Sequence, residues 1–367
     1  MSLKRGRNFP PSYICKTMET FRIVGLMSGT SLDGLDIALC DLSFIEGKWE
    51  YEIVAAETVV YDASWRDIFR RAHKMSALEL AQLNVDFGIY SGKQVKRFLE
   101  ERSHSADAIA SHGHTIFHQP GESLTVQIGS GAHIAAHAGI KTICDFRTTD
   151  VAHGGQGAPL VPIGDRLLFN DYDFCLNIGG IANVSYTLMG DLNAFDVCVA
   201  NMALNLLAEQ TGHPFDANGE MARRGVVNVE LLEKLNELPY YSQELPKSLG
   251  KEWFERHFLP LLGASQLTIR DLLATCTEHM AVQIAKIFEG WTGSVLVTGG
   301  GAFNEFLIES IQAKTDLSVV VPDTDTVQYK EALIFALLGA LRLSEQPTAL
   351  SEVTGASKDT CGGCIYL

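Results

Sequence analysis

Between Gly25 and Asp36 the chain reads GLMSGTSLDGLD: three glycines, the hydroxyl side chains Ser28, Thr30 and Ser31, and the carboxylates Asp33 and Asp36. Phosphate groups are best held by several backbone N–H groups that converge. Glycine lets a chain bend and approach closely enough to supply them. Carboxylates beside phosphate imply a cation between the two, so Asp33 and Asp36 point to Mg²⁺, bound directly or through water. The segment joins two apolar runs that read as strands. It lacks the G-x-x-x-x-G-K-[ST] spacing, so it is a hairpin and not a Walker loop, and no clean G-x-G-x-x-G occurs elsewhere.

Two further glycine turns follow apolar runs. One is Asn177–Asn183 (NIGGIAN), with Gly179 and Gly180; the other is Thr298–Asn304 (TGGGAFN), with Gly299, Gly300 and Gly301. The second of these leads into a helix, whose N-terminus suits a nucleotide's sugar or α-phosphate. Any one such turn is most often purely structural. Three of them, ending strands in two similar halves, are expected to converge on one nucleotide.

Other residues have a chemical and a plain reading. His112, His114 and His118 are expected in a polar, substrate-facing loop. H-x-H spacing on a strand would put two imidazoles on one face, as a metal site requires. Asp145 and Asp150 flank a turn, where a carboxylate either bonds the backbone or, at Asp145, meets substrate. Glu331 opens a strongly apolar helix and either complements its N-terminus or contacts substrate. Asp196 ends a strand, as a cap or as a reacting carboxylate. Cys361 and Cys364 form one C-x-x-C without the second ligand pair that zinc needs, and read as a loop near the C-terminus.

The elements that must position these residues recur. Phe21–Val24, Ile37–Phe44 and Tyr51–Tyr61 read as a three-strand meander. A helix with Leu80, Leu83, Phe87, Tyr90 and Phe98 on one face follows, then short strands at Ala108–Ala110, Val126–Ile128 and Thr142–Cys144 and a helix near His133–Ala138. A second meander covers Phe174–Ile178, Val184–Met189 and Ala194–Val197. Helices follow at about Met202–Gln210, from a capping box at Thr268, at Asn304–Ala313 and at Val327–Leu343. Strands are expected at Val295–Val297 and Leu317–Val321. The expected fold is α/β, with two related mixed-sheet domains around a central cleft: a disordered tail over 1–20, domain I over 21–142 plus 331–367, and domain II over 143–330.

At 367 residues the chain is too long for one ordinary core. A formal net charge of -15 excludes nucleic acid and anionic membrane as principal partners, though not a small phosphorylated ligand. No run reaches the ~18 apolar residues of a membrane span, and the N-terminal stretch lacks the apolar core of a secretory signal. The cysteines Cys40, Cys144, Cys175, Cys198 and Cys276 lie in apolar runs, as in a reduced, cytoplasmic protein.

From about Ile23 onward the chain resembles the anhydro-N-acetylmuramic acid kinases, within the actin-like, hexokinase-like ATPase superfamily. The markers are GLMSGTSLDGLD, SHGHT (Ser111–Thr115), VQIG (Val126–Gly129), DFRTTDVAHGGQGAPLVP (Asp145–Pro162), LNIGGIANVS (Leu176–Ser185), PKSLG (Pro246–Gly250), VTGGGAFN (Val297–Asn304) and VTGA (Val353–Ala356). The resemblance implies two actin-like, ribonuclease H-like domains and ATP as cosubstrate. It also implies phosphorylation of O6 of a 1,6-anhydro amino sugar from cell-wall turnover, with water opening the anhydro ring at the anomeric carbon. On it, Gly29, Thr30, Ser31, Leu32, Asp33, Gly34, Leu35 and Asp36 hold the ATP phosphates, and Gly299–Gly301 lie near the nucleoside. Asp196 is the catalytic carboxylate, and His112, His114, Asp145, Asn201 and Glu331 face substrate. A homodimer is typical of the family.

Three departures stand out. The family's D-[TC]-G-P-G-N is here Asp196-Val197-Cys198-Val199-Ala200-Asn201, so the backbone beside Asp196 is expected to follow a path that needs no glycine. D-F-R-R-R-D is Asp145–Asp150 with Thr148 and Thr149 in place of two arginines, and H-G-Q-T has become His112–Thr115 with an imidazole for an amide. These departures leave two rivals: a phosphohydrolase or sugar kinase with another substrate, and an ATP-binding regulatory protein with little turnover.

Overall fold

The structure is a computed structural model, and it describes residues 19–29, 31–245 and 247–367. The tail expected over 1–20 lies almost wholly outside the described residues; Glu19 and Thr20 already belong to the first strand.

In chain order the strands are β1 (Glu19–Ser28), β2 (Gly34–Ile45), β3 (Lys48–Val60), β4 (Ala108–Gln119), β5 (Leu124–Ile128), β6 (Thr142–Cys144), β7 (Phe174–Ile178), β8 (Ile181–Leu188), β9 (Asp191–Val199), β10 (Ser294–Thr298), β11 (Ser318–Val320) and β12 (Cys364–Tyr366). They form two mixed sheets with one topology. In the first, the antiparallel meander β1-β2-β3 is extended on the β1 side by parallel β4 and β6, with β5 paired to β4 and β12 on the edge. In the second, the meander β7-β8-β9 is extended on the β7 side by parallel β10 and β11. The class expected from sequence, α/β with two mixed sheets, is the class observed.

The chain divides into two compact units, residues 1–168 with 329–367, and residues 169–328. The first unit runs past residue 142 because the segment after β6 stays tied to its C-terminal part. The buried Asp150 carboxylate accepts from the Thr354 hydroxyl at 2.7 Å and from the Gly157 N–H at 2.7 Å.

Each unit has its own core. In the first, helix Ala77–Arg102 lays Leu83, Phe87, Val95, Phe98 and Leu99 against Val24, Leu26, Leu35, Ile37 and Ile109 of the sheet. Its start is set by a reciprocal capping box between Ser76 and Glu79, and its end by Ser103 in a left-handed conformation. In the second, helix Ile269–Ile287, capped by Thr268, packs Leu273, Cys276, Met280 and Ile284 with Phe174, Leu176 and Val297. Helix Thr324–Leu343 crosses β1 so closely that a Cβ on Gly25 would sit inside the Ala332 carbonyl, so only glycine fits there. Among the described residues no helix is long and apolar enough to cross a membrane.

Candidate active site

In the first unit the turn between β1 and β2 is closed by the Leu32 N–H, which donates to the Gly29 carbonyl at 3.3 Å; Leu32 holds φ at 63°. A non-glycine residue in that region stores about 1–2 kcal/mol of strain. Thr30 lies outside the described residues. Asp33 is exposed. Asp36 is half-buried on β2, and its Oδ1 accepts from the Thr58 hydroxyl at 2.6 Å. Burial, helped by the neighbouring charge of Asp33, raises the Asp36 carboxyl to about 6 against the bond from Thr58. Among the described residues no three His, Cys, Asp or Glu side chains gather to form a protein-only metal site.

A raised folded pKa means that the native state binds the proton more tightly than the unfolded chain does. Stability linked to Asp36 is therefore complete below pH 4 and is lost as pH rises towards 6, by at most about 3 kcal/mol. An Asp36→Asn variant is expected to lack this part of the pH dependence. Thermal melting of both proteins from pH 4 to pH 7 measures it, and parallel curves would refute it.

His112 and His114 lie on β4, not in a loop, and they point to opposite faces. Leu26 pairs with Ser111 and Ser28 with His114, so β4 carries one residue more than β1 over that step. Gly113 takes up the extra residue at φ 76°, where a side chain would also press on the Ile128 carbonyl. Such a bulge re-aims the next side chain. It defeats the period-2 rule, and with it the reading of a two-histidine metal face.

His112 turns towards Phe335 on helix Thr324–Leu343, with ring centroids 4.8 Å apart. Arg147 donates to its Nε2 from both Nε (3.2 Å) and Nη2 (2.8 Å). Guanidinium only donates, so Nε2 carries no proton, and the Nδ1–H donates to the Gly113 carbonyl at 2.9 Å. Burial, then the charge of Arg147, hold the imidazole neutral, at about 3. Arg147 also donates from Nη1 to the Gly157 carbonyl at 2.6 Å; burial lowers it to about 10, and Glu331 opposes that shift. Glu331 itself is pushed up, first by burial and then by Asp36, against Lys330 and Arg147. Asp36, Glu331, Arg147 and His112 thus form one electrostatic neighbourhood. Glu331 is not at a helix start: the helix begins at Thr324, Asp325 occupies its first turn, and the dipole role falls away.

His114 faces the other way. Its ring stacks on Phe69 at 4.1 Å and its Nδ1 bonds Ser28 Oγ at 2.9 Å, which in turn bonds the Tyr61 hydroxyl at 2.7 Å. Burial lowers it to about 4. Beside it a cavity of about 300 Å³ is lined by Leu32, Phe69, Arg70, His73, His114, Thr115 and Ile116. Asp145 stands at φ 61° and accepts from the Thr148 hydroxyl at 2.5 Å, which is turn chemistry.

In the second unit Asp196 lies on β9 opposite Asn183. β9 carries an extra residue between Asp196 and Cys198, so the strand bulges at Val197. None of Val197, Cys198, Val199 or Ala200 has positive φ, which is how the segment dispenses with the family's glycines. The Asp196 carboxylate accepts from the Leu249 N–H at Oδ2 (2.8 Å). Its carbonyl accepts from the Tyr240 hydroxyl at 2.5 Å. Oδ1 carries no hydrogen bond among the described residues. Burial raises the carboxyl, partly offset by the Leu249 N–H.

The second and third glycine turns meet here. Gly299, at φ 80°, lies so close that a Cβ would come within 2.5 Å of Asn177 Oδ1. Asn201 donates from Nδ2 to the Ile178 carbonyl at 3.1 Å and from its N–H to the Gly179 carbonyl at 3.1 Å. It fastens the start of helix Asn201–Glu209 to the turn that holds Gly179 and Gly180. The turn at Gly300–Phe303 leads into helix Glu305–Gln312, capped by Asn304.

The family model for anhydro-N-acetylmuramic acid kinase matches residues 21–367. The chain belongs to the anhydro-N-acetylmuramic acid kinase family. It is 34% identical over 361 residues to the anhydro-N-acetylmuramic acid kinase of Hydrogenovibrio crunogenus, covering 94% of this chain and 97% of that one. It is 35% identical over 364 residues to the namesake of Vibrio parahaemolyticus serotype O3:K6, with the same coverage. Among solved structures, the activator of the 2-hydroxyisocaproyl-CoA dehydratase from Clostridium difficile aligns at a TM-score of 0.43 and 14% identity, over 88% of this chain and 96% of that one.

In this member of the anhydro-N-acetylmuramic acid kinase family, three residues of the two clusters escaped sequence reasoning. Arg147 is masked inside a family run that has lost its two other cations. Tyr240 and Leu249, far from Asp196 in sequence, carry no signal of the contact, although Leu249 lies in the PKSLG marker.

Proposed function

We propose that this chain transfers the terminal phosphoryl group of ATP to O6 of 1,6-anhydro-N-acetylmuramic acid while water opens the anhydro bridge, giving ADP and N-acetylmuramic acid 6-phosphate. Membership of the kinase family over residues 21–367 carries this reading. In it Asp196 takes a proton from water through Oδ1 while the Leu249 N–H holds Oδ2. The water oxygen bonds to the anomeric carbon, the bond from that carbon to O6 breaks, and O6 takes the phosphoryl group. General-base help of this kind contributes about 10²–10⁴-fold.

In this reading the hairpin 29–36 would hold phosphate, Gly179, Gly180 and Gly299–Gly301 the nucleoside end, and His112, Asn201 and Glu331 the sugar. His114, turned to the opposite face against Phe69 and Ser28, and Asp145, which accepts from Thr148 within its own turn, are not given that role. Asp33 and Asp36 would hold Mg²⁺, which supplies charge neutralisation at the phosphates. Their all-oxygen donor set suits that ion, and Asp36 already sits at a site where carboxylate charge is uncompensated. By the same resemblance the chain works in the cytoplasm as a homodimer, and a light-scattering mass of one chain, 40.1 kDa, would remove the dimer.

Mass spectrometry of protein, ATP, Mg²⁺ and the anhydro sugar tests the reaction. The expected product is heavier than the sugar by one phosphoryl group and one water. ADP release without a sugar product would replace this reading with that of a hydrolase.

A further inference from the structure

The C-terminal strand carries a feature that the kinase reaction does not use. β12 pairs antiparallel with β6, and Cys364 stands directly opposite Cys144. Residues directly opposite in an antiparallel pair share a face, with Cα atoms about 4.5–5.5 Å apart. That separation lies within the span a disulfide bridges, about 4.4–6.8 Å.

Helix Gly131–Ala138 identifies the shared face. A Cβ built on Gly131 would meet both the Cys144 Sγ, at 2.6 Å, and the Tyr366 ring, at 2.7 Å. Tyr366 follows Cys364 by two residues, so both lie on that face of the strand. Cys361 lies near Arg342 on helix Thr324–Leu343; the Arg342 Nε donates to the Gly363 carbonyl at 2.8 Å, and Gly363 between the two cysteines packs on Ile143 and Arg342. The C-x-x-C spacing therefore does not make Cys361 and Cys364 the natural couple. Cys364 opens a strand rather than lying in the loop expected from sequence. It is exposed, Cys144 is partly buried, and all seven described cysteines are free thiols.

We propose that Cys144 and Cys364 are a redox-modification site that closes to a cross-strand disulfide under peroxide. Cys364, reached first, is oxidised by hydrogen peroxide to the sulfenic acid, with release of one water. The Cys144 sulfur then attacks the Cys364 sulfur, the S–O bond breaks, and a second water leaves with the thiol proton. Two thiols are oxidised and one peroxide is reduced. Burial keeps the Cys144 thiol protonated, at about 12, which leaves the first oxidation to the exposed Cys364 and makes the attack of Cys144 the slower step. The bond would staple the last strand to β6 immediately before Asp145 and Arg147.

The full chain, titrated with hydrogen peroxide and alkylated without reductant, gives the test by peptide mapping. The expected result is loss of two hydrogens and a linked peptide pair containing Cys144 and Cys364, reversed by dithiothreitol. The link should persist in Cys361→Ser and vanish in Cys364→Ser. Both variants alter exposed side chains, and circular dichroism checks their folding. A Cys361–Cys364 link, any other pairing, or oxidation of Cys364 without a link would overturn the proposal.

Discussion

Asp196→Asn is expected to lower kcat by about 10²–10⁴-fold while leaving the affinity for ATP essentially unchanged. The asparagine keeps the shape of the side chain, and its amide oxygen can still accept from the Leu249 N–H. What it loses is the ability to take a proton from water. For the parent, kcat should rise with pH along a limb set by Asp196, whose midpoint lies above the ordinary carboxyl value of 3.8 because burial disfavours its charged form. Activity is thus lost as pH falls through that midpoint, and the variant should lack the limb. Steady-state rates with the anhydro sugar, against pH, together with calorimetric titration of ATP, check both parts. A variant as fast as the parent would remove Asp196 from the chemistry. A variant slow only because ATP no longer binds would make it a structural residue.

The parts of this molecule that were legible in the sequence are those written in local patterns. Alternation gave both meanders, and the helical faces of Leu83–Phe98 and Leu273–Ile284 gave the helices that cover them. Where a single residue changes the rule, local reading fails. Gly113 inserts itself into β4 and turns His114 away from His112, which no count of alternate residues can detect. Glu331 read as a helix start because the apolar run begins there, whereas Asp323, whose carboxylate accepts from the Thr326 N–H at 2.9 Å, sets the start a turn and more earlier. Arg147, Tyr240 and Leu249 meet their partners across 35, 44 and 53 residues, where spacing carries no information. The first compact unit extends to residue 168 through a contact of the same long-range kind, since Asp150 and Thr354 are tied across 204 residues.

A buried charge pair in the first unit should be the costliest to break. Lys330 Nζ lies 2.7 Å from Asp165 Oδ1, with the side chains only 5% and 7% exposed, and the pair joins helix Val161–Leu168 to helix Thr324–Leu343. Asp165→Ala removes the carboxylate and leaves an ammonium in a poorly solvated position. The expected loss is about 3–5 kcal/mol, a large share of the ~5–15 kcal/mol that holds a typical domain together. Replacing both partners by apolar residues of similar size, Asp165→Leu with Lys330→Met, should restore much of it, because the loss comes from stranding a charge and not from the pair's own strength. Urea unfolding of the parent, the single and the double variant separates these contributions; a double variant no more stable than the single would refute this account. Lys330 also neighbours Glu331, whose proton it helps to release. The double variant should therefore raise the Glu331 carboxyl further even where the fold is restored, so that stability and the pH dependence of the site part company.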